Sequence, residues 1–335
     1  MKTKFASYCS KGIAEGCKYC VKGQKLVLFI TGKCSRKCWY CSLSNKRKNV
    51  EKVWANEKDC LSIKDVIKEV EFSNAKGAGI TGGDPLIVFG RTLRFASALK
   101  KRFGKKFHIH IYLPTKLVSS EKLKKLSKVV DEVRFHPSLL LENKDFDKDI
   151  SKINLASKFW DKKNIGIEMP MIPDKKKEIL NFILSIKDKI GFVNLNELEI
   201  SDTNFDLITN KYKINQDSYT IKGSKEAGLW ILKKINNKLK AHLCTARTKN
   251  LFQYKNRLRL RKIFPYQYFT KEGSIIYFFS YTNEKISKKN YYFDNEKNRF
   301  IINPKNINKL KGKIRIFRVE ELPTSDRIEL QLEEI

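Results

Sequence analysis

Three cysteines stand in one short loop, and they constrain this chain more than any other feature. Cys34, Cys38 and Cys41 come shortly after an apolar run at residues 26–31 that is typical of a buried β-strand. Thiolates are the usual ligands of iron–sulfur clusters, and a cube-shaped cluster normally takes four of them. Three clustered cysteines without an adjacent fourth therefore predict a cluster with one open iron. A zinc knuckle is the alternative, but zinc usually takes two spaced pairs, and no histidine follows Cys41 at finger spacing.

A glycine-rich turn, Gly82-Gly83-Asp84-Pro85, follows the second predicted strand. Two glycines let the backbone approach a ligand closely, and proline fixes the turn. The cysteine spacing, the aromatic Tyr40 before the last cysteine and this turn together resemble the signature of the radical S-adenosylmethionine (SAM) superfamily. The resemblance implies a [4Fe–4S] cluster whose open iron binds SAM, and cleavage of SAM to a 5′-deoxyadenosyl radical. It also implies that the turn binds the SAM amino group, with Asp84 where the family has glutamate.

The resemblance extends over most of the predicted α/β region. Residues 17–90 look like a group of archaeal-type radical SAM proteins that are described as relatives of pyruvate formate-lyase activating enzyme. The similarity continues through residues 134–137 and 195–199. It implies the class of reaction much more specifically than the substrate.

Strands alternate with helices from residue 25 onward. The predicted strands are residues 26–31, 77–81, 107–113, 132–136, 165–171 and 192–200. This alternation predicts a parallel sheet with right-handed crossovers. Six such units would form an incomplete (β/α)6 barrel of the radical SAM type. Chemistry in parallel barrels lies at the carboxyl ends of the strands, which is where the cysteine loop falls.

Other polar residues fall near the predicted carboxyl ends of strands. Thr115, His136 and Glu168 are our candidates for contacts with SAM or substrate, beside Tyr40 and the glycine-rich turn. No residue is singled out as catalytic.

A second cysteine group opens the chain. Cys9 precedes the pair Cys17 and Cys20, which are spaced as metal ligands often are. We expect an auxiliary metal site here, either a second iron–sulfur cluster or zinc, because cysteine spacing alone does not separate the two. Cys244 is the candidate for its fourth ligand, and His242 is the alternative.

The chain is strongly basic, with 69 Lys and Arg against 36 Asp and Glu and a net charge of +33. Such a charge predicts an anionic partner, most often nucleic acid, although a composition rich in Lys, Ile and Asn also reflects codon bias. Residues 227–271 contain no acidic residue, and their cations alternate with aromatic residues that can stack on bases. The residues that we predict to contact RNA are Arg247, Lys249, Lys255, Arg257, Arg259, Arg261 and Lys262.

The sequence divides into four predicted segments. They are a cysteine-rich segment 1–24, the partial barrel 25–240, a basic linker or helix 241–265 and a small antiparallel β module 266–335. No apolar run approaches the roughly 20 residues of a membrane-spanning helix, and no signal peptide is visible. Clustered cysteines in such a chain indicate metal ligands in a reducing compartment, so we expect a cytoplasmic location.

Three functions fit these patterns. The first, which the charge favours, is modification of RNA, tRNA above all, by a radical SAM enzyme with an external electron donor such as ferredoxin or flavodoxin. The second is an activase or maturase that makes a radical on a protein or modifies it. The third is a zinc-bearing RNA-binding protein without SAM, and the glycine-rich turn argues against it.

Overall fold

A mostly parallel sheet forms the centre of the molecule. The computed structural model describes all residues, 1–335. Its strands β1 to β18 are Tyr8–Ser10, Lys25–Phe29, Val53–Ala55, Lys58–Cys60, Gly77–Thr81, His108–Pro114, Glu132–His136, Ile165–Met171, Phe192–Glu197, Ile214–Asn215, Thr220–Ile221, Lys240–Cys244, Tyr268–Phe269, Ile275–Ser280, Tyr291–Asp294, Arg299–Ile302, Phe317–Glu321 and Glu329–Glu334. Its α-helices α1 to α11 are Glu15–Cys20, Ile63–Phe72, Phe89–Phe103, Ser120–Leu126, Phe146–Asn154, Lys176–Ile186, Phe205–Thr209, Ser224–Ile235, Ala246–Thr248, Lys255–Leu260 and Ile307–Leu310.

The large sheet has ten strands in the order β1-β12-β9-β8-β7-β6-β5-β2-β3-β4. Neighbours from β2 through β5, β6, β7, β8 and β9 to β12 pair in parallel, whereas β1 and β3 pair antiparallel at either side. The edge strands β1 and β4 do not pair with each other, so the barrel is incomplete. The predicted α/β partial barrel is confirmed.

One parallel strand was missed by the sequence analysis. The six-strand prediction ended the barrel at residue 240 and assigned the next residues to a basic linker, but β12 extends the parallel sheet to Cys244. The strand is short, and Lys240 and His242 interrupt its apolar character, so its residues do not resemble a fully buried strand. The barrel therefore has seven parallel strands.

The two faces of the sheet differ in polarity. On β6, for example, Ile109, Ile111 and Leu113 are fully buried in the main hydrophobic core together with residues of the surrounding helices. The alternate residues His108, His110 and Tyr112 point to the opposite face, because side chains alternate along a strand. We call this opposite side, which has polar residues on most parallel strands, the inner face.

The N-terminal segment is part of the barrel rather than a separate unit. Strand β1 adds to the edge of the sheet beside β12, and helix α1 lies against the inner face. Gly16 of α1 donates its backbone N–H to the Glu132 carboxylate at 3.0 Å. A Cβ atom on Gly16 would lie 2.7 Å from side-chain atoms of His110, Glu132 and Arg134, so only glycine fits without rearrangement. Helix α1 therefore covers the inner face near the amino ends of the strands.

The C-terminal region forms the predicted separate antiparallel sheet. Its order is β15-β16-β14-β17-β18, and β13 also pairs with β14. Tyr277, Phe279, Ile301 and Val319 form its small core. None of the helices in the molecule combines the length and the apolar composition needed to cross a membrane.

Candidate metal and cofactor site

The first cysteine group lies in the loop after β2, at the carboxyl end of the parallel strands. Cys34 is exposed, Cys38 and Cys41 are half-buried, and all three thiols are free. Burial raises the pKa of Cys34, and it raises the pKa of Cys38 to about 11. These thiols stay protonated near neutral pH unless a metal ion replaces their protons.

The glycine-rich turn is clasped to this loop through backbone hydrogen bonds. The N–H of Gly83 donates to the Thr31 carbonyl and the N–H of Asp84 donates to the Lys33 carbonyl, each at 2.8 Å. The buried Asp84 carboxylate accepts a hydrogen bond from the Ser35 hydroxyl at 2.5 Å. Gly82 has a φ of 126°, which favours glycine. The turn and the cysteine loop are therefore one structural unit.

Gly83→Ala should break this unit. The added Cβ would overlap the Lys33 carbonyl oxygen, and backbone atoms on both sides would have to move. We expect the free energy of unfolding to fall by about 1–3 kcal/mol, as measured by urea denaturation. Gly90→Ala is the matched control, because a Cβ at Gly90 meets nothing within 4 Å. If both substitutions lower the free energy of unfolding equally, the close contact between the turn and the cysteine loop does not have this structural role.

A buried arginine connects the cysteine loop to β7, to the residue after β6 and to α5. Arg36 donates to the His136 carbonyl at 2.7 Å and to the Thr115 hydroxyl at 2.5 Å, and it lies 3.4 Å from the Asp149 carboxylate. Thr115 in turn donates to Asp149. The sequence analysis named Thr115 but missed Arg36 and Asp149. The position of Arg36 between the first two cysteines was the available signal.

Tyr40 and His136 form a hydrogen-bonded pair beside the cysteine loop. The Tyr40 hydroxyl lies 2.8 Å from His136 Nε2, and His136 Nδ1 lies 2.9 Å from the Glu168 backbone carbonyl. A carbonyl oxygen only accepts, so Nδ1 carries the proton and Nε2 accepts from Tyr40. Burial lowers the pKa of His136, which keeps the imidazole neutral. The aromatic residue before the last cysteine is thus fixed by a strand of the barrel.

The inner face of β7, β8 and β9 carries a buried ionic network. Arg134 donates to the Glu132 carboxylate at 2.7 Å and to the Glu168 carboxylate at 2.9 Å. Asn194 and Asn196 donate to the same Glu168 side chain at 3.0 and 2.9 Å. The Glu168 carboxylate accepts these three hydrogen bonds from within the protein, so Glu168 orders this face. The sequence analysis did not identify Arg134 or Asn194.

The second cysteine group faces the same network. Arg134 Nη2 lies 3.3 Å and Asn194 Nδ2 lies 3.0 Å from Cys17 Sγ. Burial raises the pKa of Cys17, and it raises the pKa of both Cys20 and Cys244 to about 12. Because the nearby cations only partly offset this burial, these thiols also need a metal to ionise at neutral pH.

Strand register places the remaining residues of this group. Cys9 on β1 is the pairing partner of His242 on β12, and His242 is the partner of Asn194 on β9. Paired residues point to the same face, so Cys9, His242 and, two residues on, Cys244 share the inner face. No three of the Cys, His, Asp or Glu side chains of the molecule are already arranged to hold a metal ion. The cysteines of each group thus lie near one another in the structure. Neither group forms a complete metal-coordination sphere.

Five cations of the basic run, residues 227–271, have partners within the protein. Lys249 pairs with Glu199 at 2.6 Å and Lys255 with Glu272 at 2.8 Å. Three further cations have partners in the protein: Arg257 with Glu57, Arg261 with Glu69, and Arg259 with the Lys271 carbonyl. Most of these carboxylates come from distant parts of the chain, so a run without acids in sequence is not free of acids in space. Five of the seven residues predicted to contact RNA therefore have another structural role.

The chain belongs to the radical SAM superfamily. Residues 28–159, which include the cysteine loop and the glycine-rich turn, match the family described as the Radical SAM superfamily. A protein of Methanocaldococcus jannaschii named "Putative glycyl-radical enzyme activating enzyme MJ0021" is 38% identical over 275 residues, which cover 79% of this chain and 72% of that relative. The resemblance found from the motifs is confirmed, and the protein is a radical SAM enzyme.

Solved structures with low sequence identity are also similar. They include native anSMEcpe with bound AdoMet, with a TM-score of 0.40, 15% identity, and coverage of 63% of this chain and 59% of that chain. Coproporphyrinogen III oxidase (HemN) from Escherichia coli gives a TM-score of 0.40, 11% identity, and coverage of 69% and 57%. The chain spans less than two thirds of either protein.

Proposed function

We propose that this radical SAM enzyme acts on a polypeptide, as an activating enzyme that generates a glycyl radical on a partner protein. The observation that carries this proposal is the 38% identity to the Methanocaldococcus relative, whose name gives that activity. This was the second of the functions considered from the sequence.

Cys34, Cys38 and Cys41 would hold the [4Fe–4S] cluster that membership of the superfamily implies. The donor set fits, because three free thiols share one loop and thiolates are the usual ligands of such a cluster. When cluster and SAM are bound, reduction by a donor such as ferredoxin or flavodoxin cleaves SAM to the 5′-deoxyadenosyl radical.

The residues around the loop would bind and orient SAM. The glycine-rich turn, Gly82-Gly83-Asp84-Pro85, offers backbone close to the loop, and its clasp limits how far the two can separate. On the other side, we assign Tyr40, Thr115 and His136 to cofactor contact, because Arg36 and β7 hold them next to the loop. Glu168 supports His136 through its backbone carbonyl.

The internal pairing of the basic run supports a protein substrate over RNA. A phosphate-binding surface requires cations that are free to release counterions, whereas Arg257 and Arg261 are largely buried against carboxylates. RNA modification retains one supporting observation, the net charge of +33. It is therefore the second candidate.

We further propose that the second cysteine group supplies ligands for a second metal group, iron–sulfur or zinc, with Cys9, Cys17, Cys20 and Cys244 as the candidates. Its support is that β1, α1 and β12 bring these four residues to one inner face. Burial raises the pKa of the Cys17, Cys20 and Cys244 thiols, which disfavours their ionisation in the absence of a metal.

Release of 5′-deoxyadenosine tests the substrate class. The anaerobically reconstituted protein is given reductant, SAM and an extract of its own source cells, treated beforehand with ribonuclease or with an immobilised protease. We expect stimulation that survives ribonuclease and is lost after protease, together with an electron paramagnetic resonance doublet of a glycyl radical. Stimulation lost after ribonuclease would replace this proposal with RNA modification. Stimulation that survives both treatments would assign a small-molecule substrate.

A further inference from the structure

A buried histidine on the inner face has no hydrogen-bond partner. His242 is only 2% exposed, and neither of its ring nitrogens finds a donor or an acceptor within the protein. A buried polar group without a partner is costly, and an imidazole has two such groups. The fold retains this cost in the middle of a strand, where an apolar residue would not carry it. An unpartnered imidazole in this position is therefore suited to a ligand.

The neighbours of His242 are thiols. Its partner on β9 is Asn194, whose amide lies 3.0 Å from Cys17 Sγ, so the Cys17 thiol stands in front of β9 at the level of His242. Cys244 follows two residues later on the same face. Cys20 is three residues after Cys17 in α1, and residues three apart lie on one side of a helix.

Helix α1 is held rigidly against this face. Gly16 donates to Glu132, and a side chain at that position would collide with His110 and Arg134. Because α1 packs closely on the sheet at Gly16, Cys17 and Cys20 also lie close to the sheet. The pair from α1 and the pair from β12 thus lie at the same inner face of the sheet.

The charges of the surroundings suit such a centre. Arg134 lies 3.3 Å from Cys17 Sγ and Gln253 donates to Cys244 Sγ at 3.3 Å, so two of the three sulfurs already have a donor. Outer hydrogen bonds of this kind orient metal ligands and stabilise their charge. The His242 imidazole offers a ring nitrogen that is not used by any group of the protein and can bind a metal.

We infer that Cys17, Cys20, His242 and Cys244 bind a metal centre on the inner face of the barrel, with three thiolates and one imidazole. This inference deepens the proposed second metal group and makes His242, rather than Cys9, its fourth ligand. Iron–sulfur clusters and zinc both accept this combination of ligands. A buried free thiol such as Cys9 behaves as a small apolar side chain, whereas the buried imidazole has no such alternative.

Metal content without the SAM cluster tests this inference. The variant with Cys34, Cys38 and Cys41 all changed to alanine is purified without oxygen, and its iron, sulfide and zinc are measured. We expect it to retain iron with sulfide, or zinc, and the element found identifies the centre. Adding His242→Ala should reduce that metal to background, whereas adding Cys9→Ser, the matched change on the neighbouring strand, should leave it in place.

Two further measurements separate ligation from folding. His242→Cys keeps a soft donor and should retain the metal that His242→Ala loses, with circular dichroism showing the same secondary structure in both. In wild-type protein without SAM, a nitrogen ligand should appear in X-ray absorption at the zinc edge, or as a nitrogen hyperfine coupling of the reduced cluster.

Three results would overturn the inference: a triple variant that is folded but free of metal, loss of metal with Cys9→Ser but not with His242→Ala, or a centre with sulfur ligands alone. None of these depends on SAM cleavage. Failure of the substrate proposal would leave the metal content unchanged, so the two proposals fail separately.

Discussion

Cys38→Ala is expected to abolish the release of 5′-deoxyadenosine. Removing one of three thiolates leaves the cluster two protein ligands, and the half-buried loop offers no replacement. The iron bound by the cysteine loop should be lost together with the activity. The measurement is 5′-deoxyadenosine formed from SAM under reducing conditions, with iron content determined on the same preparation.

Cys60→Ala is the matched control for this prediction. Cys60 is also buried, but it lies on β4 and its thiol donates to the Lys58 carbonyl at 3.4 Å, away from both cysteine groups. We expect it to retain SAM cleavage and to lose at most a small amount of stability. Full activity of Cys38→Ala, or equal loss with Cys60→Ala, would contradict the assignment of the cluster.

Arg134→Met should produce the largest loss of stability. The guanidinium is almost completely buried between Glu132 and Glu168, whose side chains are 1% and 15% exposed. Removing the cation leaves these carboxylates without their partner in the interior, which typically costs about 3–5 kcal/mol. Urea denaturation of the metal-free protein at neutral pH measures the change in the free energy of unfolding.

The same substitution at a surface pair controls for the loss of an arginine as such. Arg315 makes two hydrogen bonds to Glu334, but both side chains are largely exposed. Exposed ion pairs contribute about 0–1 kcal/mol, so Arg315→Met should change the stability little. If the two variants unfold at the same urea concentration, the network of Arg134 does not have the structural role described above.

The sequence predicted what depends on local patterns. Strand β2 is a short apolar run, β6 alternates polar and apolar residues, and the cysteine loop and glycine-rich turn are compact motifs. The seventh strand was missed because its inner-face residues, Lys240 and His242, are polar, and a short polar strand resembles a loop. The inner-face residues of this strand face the interior only because the sheet curves into a partial barrel.

The electrostatic environment could not be predicted in the same way. Arg261 pairs with Glu69 across 192 positions of the chain, and Arg134 meets Glu168 across 34. No local pattern indicates such partners, so the acid-free run appeared as a free cationic surface. The prediction of RNA contact rested on that apparent surface. The prediction of the cluster loop rested on cysteine spacing within eight residues, which distant partners do not affect.

The pairing of β1 with β12 has a consequence for the order of assembly. Residues 8–10 leave the ribosome more than two hundred residues before the strand that they join, residues 240–244. Contacts of such long range form late and slow the folding of a nascent chain. Strand β1 and helix α1 can therefore pack in their final positions only after most of the barrel has been synthesised. Any group enclosed by that helix would consequently be inserted at the end of biogenesis, as a final maturation step.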